Sequence, residues 1–316
     1  MRRGARQALA IGAAVVVIAV VVVLVLAARD DGPPAAPPEA AAPQTAPVLA
    51  VKIDNVADAR PQTGIGSAIV VYVEPVEGGL TRLVAIFPES KPPAVVGPVR
   101  SARRTDIDLL AQWGTPVLAY SGAAPQLLPA LHAAHLVNAS PEEAAGAYYR
   151  APDRATPHNL FLRPGDLPGG AEAPARPPLQ HGAAPAGGTA TTTEDVAFTA
   201  TRYAFTWSAG QRRWLVSLDG TPLVTTDAGR VTAATVVIQH VTLDTGEPIE
   251  DAHGTVSPVA VTVGTGAAEV LRDGKDFTGT WTRPDPASPT RFHTTSGADL
   301  PLADGPVWVL LTPAQS

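Results

Sequence analysis

Residues 8–28 form an uninterrupted apolar run, preceded by Arg2, Arg3 and Arg6 and followed by Arg29, Asp30 and Asp31. At helical rise the run spans about 31 Å, enough to cross a hydrocarbon core. The positive-inside rule keeps the three arginines in the cytoplasm and predicts that everything after Ala28 is extracytoplasmic. A signal peptide cut near Val25 and Ala27 is the competing reading, but the length of the run favours an uncleaved, single-pass signal anchor. The first unit is therefore a cytoplasmic tail and transmembrane helix over 1–28. Residues 29–47 are a Pro/Ala spacer with no periodicity, expected to act as a semi-extended tether reaching up to about 50 Å.

What remains is long enough for two domains of ordinary size. The sequence contains no cysteine, so a disulfide framework, a thiolate metal site and a cysteine nucleophile are all excluded. Its net charge is −6, and Lys52, Lys91 and Lys275 are its only lysines. That balance argues against nucleic acid as a partner.

Alternation of strand and helix signals predicts an α/β domain over 48–165. Strands are expected at 48–53, 68–73, 80–87, 95–99, 117–120 and 136–138. The turn residues Glu77, Gly78 and Gly79 join the second and third of these as a hairpin. Helices are expected at 101–113, with Ser101 as N-cap, at 126–135 and at 141–149. A Pro/Gly-rich linker or long loop fills 166–200. Strand signals separated by Asp-Gly turns then predict a mainly β domain over 201–316.

The segments IDN, ARPQTG, VEGGLTR, GPVRSAR and PHNLF occur in order, and the chain from residue 48 to 316 resembles the YerB-like family of bacterial envelope lipoproteins. The resemblance implies an envelope location and no particular reaction. Lipoproteins carry a lipidated cysteine, which is absent here, so the apolar run would take the place of the lipid.

Polar residues crowd the stretch 51–104. Arg100, Ser101 and Arg103 stand at an expected helix start, where free backbone N–H groups and guanidinium forks together suit an anion. Arg60 and Arg82 are candidates to join them, with Asn159 from the PHN segment. The opposing reading pairs these arginines with Glu74, Glu77, Asp106 and Asp108. Glu74 and Glu77 are candidate glycosidase carboxylates. His158 is a candidate general base with Asp153 to orient it, Asp54 a further catalytic candidate, and Ser101 and Ser121 candidate nucleophiles outside any G-x-S-x-G elbow. His132 and His135 lack an HExxH context, and Trp207, Trp214, Trp281 and Trp308 suit a core as well as a sugar platform. The reading calls for no metal and no cofactor.

Together these features predict a membrane-anchored extracytoplasmic protein that binds an anionic cell-wall or lipid-linked ligand through an Arg-rich site. The alternatives are an enzyme acting on envelope glycan or lipid pyrophosphate, and a non-catalytic scaffold for membrane proteins. The layout of anchor, spacer and Arg-bearing domain is similar to that of the LytR-CpsA-Psr phosphotransferases, without their full motifs. Arginines that converge unpaired favour binding; arginines capped one by one favour the scaffold.

Overall fold

Every residue of β1 (Val48–Ile53) is buried, including Lys52, because the strand lies inside a sheet covered on both faces. The computed structural model describes residues 45–245 and 255–314. The apolar run and most of the spacer lie outside the described residues. Among those described, no helix is long and apolar enough to cross a membrane.

β2 (Val70–Pro75) and β3 (Thr81–Pro88) form the expected hairpin, joined by a 3-10 turn at Glu77–Gly79. Gly78 and Gly79 both have positive φ, at 69° and 72°, which a side chain would resist. β1 pairs antiparallel with β3 and parallel with β4 (Val117–Ala119), which in turn pairs parallel with β5 (Val137–Ala139). Two short helices accompany these strands, α1 (Arg104–Ala111) and α2 (Leu128–Ala133). The strand–helix–strand pattern thus holds from β4 through α2 to β5, but the described residues as a whole are mostly β with few helices.

The helix expected at 141–149 does not form. Its place is taken by a 3-10 turn at Ala145–Ala147 and by β6 (Tyr148–Arg150), which pairs with β7 (Leu160–Leu162). The Tyr148-Tyr149 pair prefers a half-buried pleat, and Gly146 weakens the helix before it. Residues 95–99 form no continuous strand either; Val96, Gly97 and Val99 make single bridges to Leu162, Thr63 and Ile53.

The longer of the later strands divide between two sheets. β8 (Thr193–Ala197), β9 (Arg202–Ser208) and β10 (Arg213–Leu218) form an antiparallel meander within a five-stranded sheet. β11 (Thr235–Val241), β12 (Gly264–Arg272), β13 (Lys275–Arg283), β14 (Arg291–Thr294) and β15 (Val307–Pro313) extend the sheet begun by β1. Its order is β14-β13-β12-β11-β15-β2-β3-β1-β4-β5, eleven strands counting Thr189–Ala190 beside β13. β15 is parallel to both neighbours, with Val70 opposite Val307 on one side and Thr235 opposite Val307 on the other. The large sheet has a core on each face, one of them shared with the small sheet through Tyr203, Phe205 and Trp214. Trp214, Trp281 and Trp308 are buried core side chains, and Trp207 packs 5.3 Å from Trp214, so no sugar platform is formed.

Candidate functional site

β1, β2 and β4 run in the same direction, and their carboxyl ends meet at one edge of the large sheet. Open sheets with parallel strands present ligand crevices at such ends. Asp54 directly follows β1, Glu74 is the penultimate residue of β2, and Arg82 faces Glu74 from the start of β3. Arg100 is held beside this edge by its N–H to the carbonyl of Lys52 at 3.0 Å and by its carbonyl, which accepts from Ser121 N–H at 3.0 Å.

Asp54 is the centre of the arrangement and is wholly buried. Its carboxylate accepts from the Asn55 N–H at 2.8 Å and lies 2.7 Å from His158 Nδ1. Arg100 Nε approaches the same oxygen as His158, Oδ2, at 3.2 Å, and Arg82 Nη1 lies 3.5 Å from Oδ1. A single carboxylate thus faces two guanidinium groups and an imidazole. His158 takes the well-aligned hydrogen bond; Arg100 Nε is buried and has no hydrogen-bond acceptor. Arg82 donates from Nη1 to the carbonyl of Thr81 at 3.1 Å. Burial pulls the Arg82 guanidinium below its ordinary value against the attraction of Asp54.

Other candidates from the sequence are neutralised one by one. Arg103 forms a two-pronged pair with Glu77, Nε to Oε2 at 2.9 Å and Nη2 to Oε1, and its Nη1 donates to the carbonyls of Ala102 and Ser101 at 3.0 and 3.2 Å. Burial alone would raise Glu77, but Arg103 and the hydroxyl of Ser257 overcome it and hold the carboxyl at about 2. Glu77 is therefore held as an ionised partner of Arg103 and Ser257. Arg60 is bound to Asp219 Oδ2 at 2.6 Å and to the carbonyl of Asn55 at 2.9 Å. The amino end of α1 is closed by Asp106, which accepts from Arg103 N–H at 2.7 Å. The expected anion seat at that helix start is filled by the chain's own carboxylate.

Glu74 is wholly buried and contacts Lys52, which also donates to Asp106 at 3.0 Å. Burial pushes Lys52 down to about 8 despite the opposing pull of Asp106. This triad supports the strands and α1 from within and leaves Glu74 unreachable by a sugar. Sequence reasoning passed over Lys52, although a lysine inside an apolar strand two residues before Asp54 is a signal of buried partners. Asn159 accepts from Arg150 at 2.7 Å and sits next to His158. Ser101 contributes its carbonyl to Arg103 rather than its hydroxyl to a nucleophile relay. His132 lies 3.3 Å from Glu143, and among the described residues no three ligating side chains gather as a metal site.

Asn55 and Gln62 complete the wall. Asn55 Nδ2 donates to Thr81 Oγ1 at 2.6 Å and to the Tyr203 hydroxyl, tying the site to β9 in the small sheet. Gln62 Nε2 donates to the Asp54 carbonyl at 3.1 Å. Both amide oxygens, Asn55 Oδ1 and Gln62 Oε1, are buried without a donor. Orphaned buried polar atoms are rare in folded proteins, and here three of them, with Arg100 Nε, belong to the neighbourhood of one carboxylate.

Fold and site define a mostly β protein with a buried Asp/His/Arg cluster at the strand ends of a mixed sheet. Comparison with known proteins matches residues 34–175 to the family described as "Protein of unknown function (DUF3048) N-terminal domain" and residues 194–309 to its C-terminal domain. "Putative lipoprotein YerB" of Bacillus subtilis is 46% identical over 61 residues, 19% of this chain and 18% of that relative. The crystal structure of YerB from Bacillus subtilis matches with a TM-score of 0.70 at 21% identity, covering 87% of this chain and 97% of that one. The chain belongs to the YerB-like family, and it shares the fold of that structure.

Proposed function

We propose that this is a membrane-attached, extracytoplasmic envelope protein that binds an anionic group, phosphate-like in charge and shape, at the Asp54 cluster. The observation that carries the reading is the sharing of one carboxylate by Arg82 and Arg100 while its aligned hydrogen bond goes to His158. Two guanidinium groups against one carboxylate leave a positive excess, and Arg100 Nε, 3.2 Å from Asp54 Oδ2, makes no aligned hydrogen bond to it. An oxyanion on Arg100 would supply that aligned acceptor. Arg103 and Arg60, each capped by its own carboxylate, hold structure and take no part in the contact. Attachment rests on the apolar run at 8–28, with the arginines before it on the cytoplasmic side.

Thermal unfolding of the full chain in detergent, with and without inorganic pyrophosphate, tests the reading. The expected result is a concentration-dependent rise in Tm that Arg100→Gln abolishes and Arg103→Gln preserves on a lower baseline. A parent protein whose Tm ignores pyrophosphate and prenyl pyrophosphate alike refutes it.

A further inference from the structure

His158 is held in one tautomer. Its Nδ1 lies 2.7 Å from a buried carboxylate that also faces two guanidinium groups, so the hydrogen on that nitrogen points at Asp54. The other ring nitrogen, Nε2, has no protein partner among the described residues. The side chain is 17% exposed, so the imidazole is not sealed in the core.

A histidine that merely fastened its loop would be redundant here. The loop between β6 and β7 is already clamped: Arg154 donates to the carbonyls of Ala59 and Pro61 at 3.0 and 2.5 Å, Ala151 N–H to Asn159 O at 2.8 Å, and His158 N–H to Ala155 O at 2.9 Å. What His158 adds is an oriented base beside cations able to hold a phosphoryl group. A carboxylate that fixes the imidazole, a free Nε2 and a guanidinium pair are the parts general-base hydrolysis requires.

Building on the anion-site reading, we propose that His158 is the general base in hydrolysis of a phosphoric anhydride or ester seated on Arg82 and Arg100. Nε2 takes a proton from water as the water oxygen bonds to phosphorus. The bond from phosphorus to the leaving oxygen breaks, its electron pair stays on that oxygen, and the imidazolium returns the proton there. The net reaction consumes one water and releases an alcohol or phosphate and a shortened phosphate, with no other reactant.

The test uses the full chain in detergent with inorganic pyrophosphate and geranyl diphosphate as separate substrates, measuring phosphate release and, by calorimetry, binding. His158→Asn is the key variant, because the asparagine amide can still donate to Asp54 from the Nδ1 position while Nε2 is deleted; His158→Gln serves if that variant fails to fold. The parent is expected to release phosphate from at least one substrate, and the variant to lose about 100-fold in rate or more with pyrophosphate affinity changed less than about threefold. Release from geranyl diphosphate alone assigns the lipid-linked source; release from pyrophosphate alone, the free one. Binding without release in the parent, or undiminished release in the variant, overturns the catalytic role and leaves the anion site standing. A parent that binds neither compound overturns both.

Discussion

Glu77 shows how one residue can be conspicuous in the sequence yet have its role decided by a distant partner. Its place in a Gly-Gly turn is local information, and the hairpin was legible for that reason. Its pairing with Arg103 and Ser257 depends on segments far along the chain. Because the folded carboxyl is held at about 2, below its ordinary value of 4.5, it binds fewer protons folded than unfolded between those values. Its stabilisation is complete above the unfolded value and is lost as pH falls through about 2. Glu77→Gln is expected to lower stability by about 2 kcal/mol at pH 7, the worth of a charge-assisted contact. In urea titrations the gap between parent and variant should shrink toward pH 2; an equal gap at pH 7 and pH 2 contradicts the pairing. The same distance problem hid the central contact of the site, since Asp54 and His158 lie 104 residues apart.

At the scale of elements, α1 is held by its buried Leu109 and Leu110 and closed at its start by Asp106. Asp106 closes the helix start through Arg103 N–H and also accepts from buried Lys52. The sequence placed this helix correctly but named Ser101 as its cap, because a serine before an apolar run is the commoner signal. The true start lies at Arg104, and the carboxylate of Asp106, three residues after the cap position Arg103, reaches back to it. Asp106→Ala removes a cap worth about 1 kcal/mol and strips Lys52 of a charge partner in a site without water access. Because Glu74 still faces Lys52, the loss is expected to reach about 2–3 kcal/mol in denaturant titration, the cap together with one charge-assisted hydrogen bond. Asp106→Asn keeps an acceptor for the cap and should lose less; equal losses for the two variants would show that Lys52 does not need the charge. The false helix at 141–149 belongs to this scale too, because Tyr148 and Tyr149 satisfy a helical pattern until β7 offers them a pleat.

For the whole molecule, the Pro/Gly-rich stretch after residue 165 suggests two domains that fold apart, and the two family matches, 34–175 and 194–309, divide the chain similarly. The hydrogen bonding divides it differently. β15, near the chain's end, is the neighbour of β2, and without it the edge from Val70 to Val73 has no partner. Tyr203 of the small sheet caps Asn55 and Thr81 beside the site. A strand pairing between the two ends of a chain leaves no mark in local periodicity, since β15 reads as any buried strand would. We therefore predict that a fragment of residues 45–175 does not fold alone. It retains β1 to β5 but leaves β2 as an open apolar edge, with β1, β2 and β3 stripped of the core they share with Trp308 and Phe205. Residues 45–316 should melt in one cooperative transition by calorimetry, whereas the fragment should show none and aggregate. Cooperative melting of the fragment near the Tm of the longer chain would mean that β15 only decorates a sheet complete without it. The Asp54 cluster would then be self-sufficient, and the stabilisation by pyrophosphate expected of the parent should be found in the fragment too.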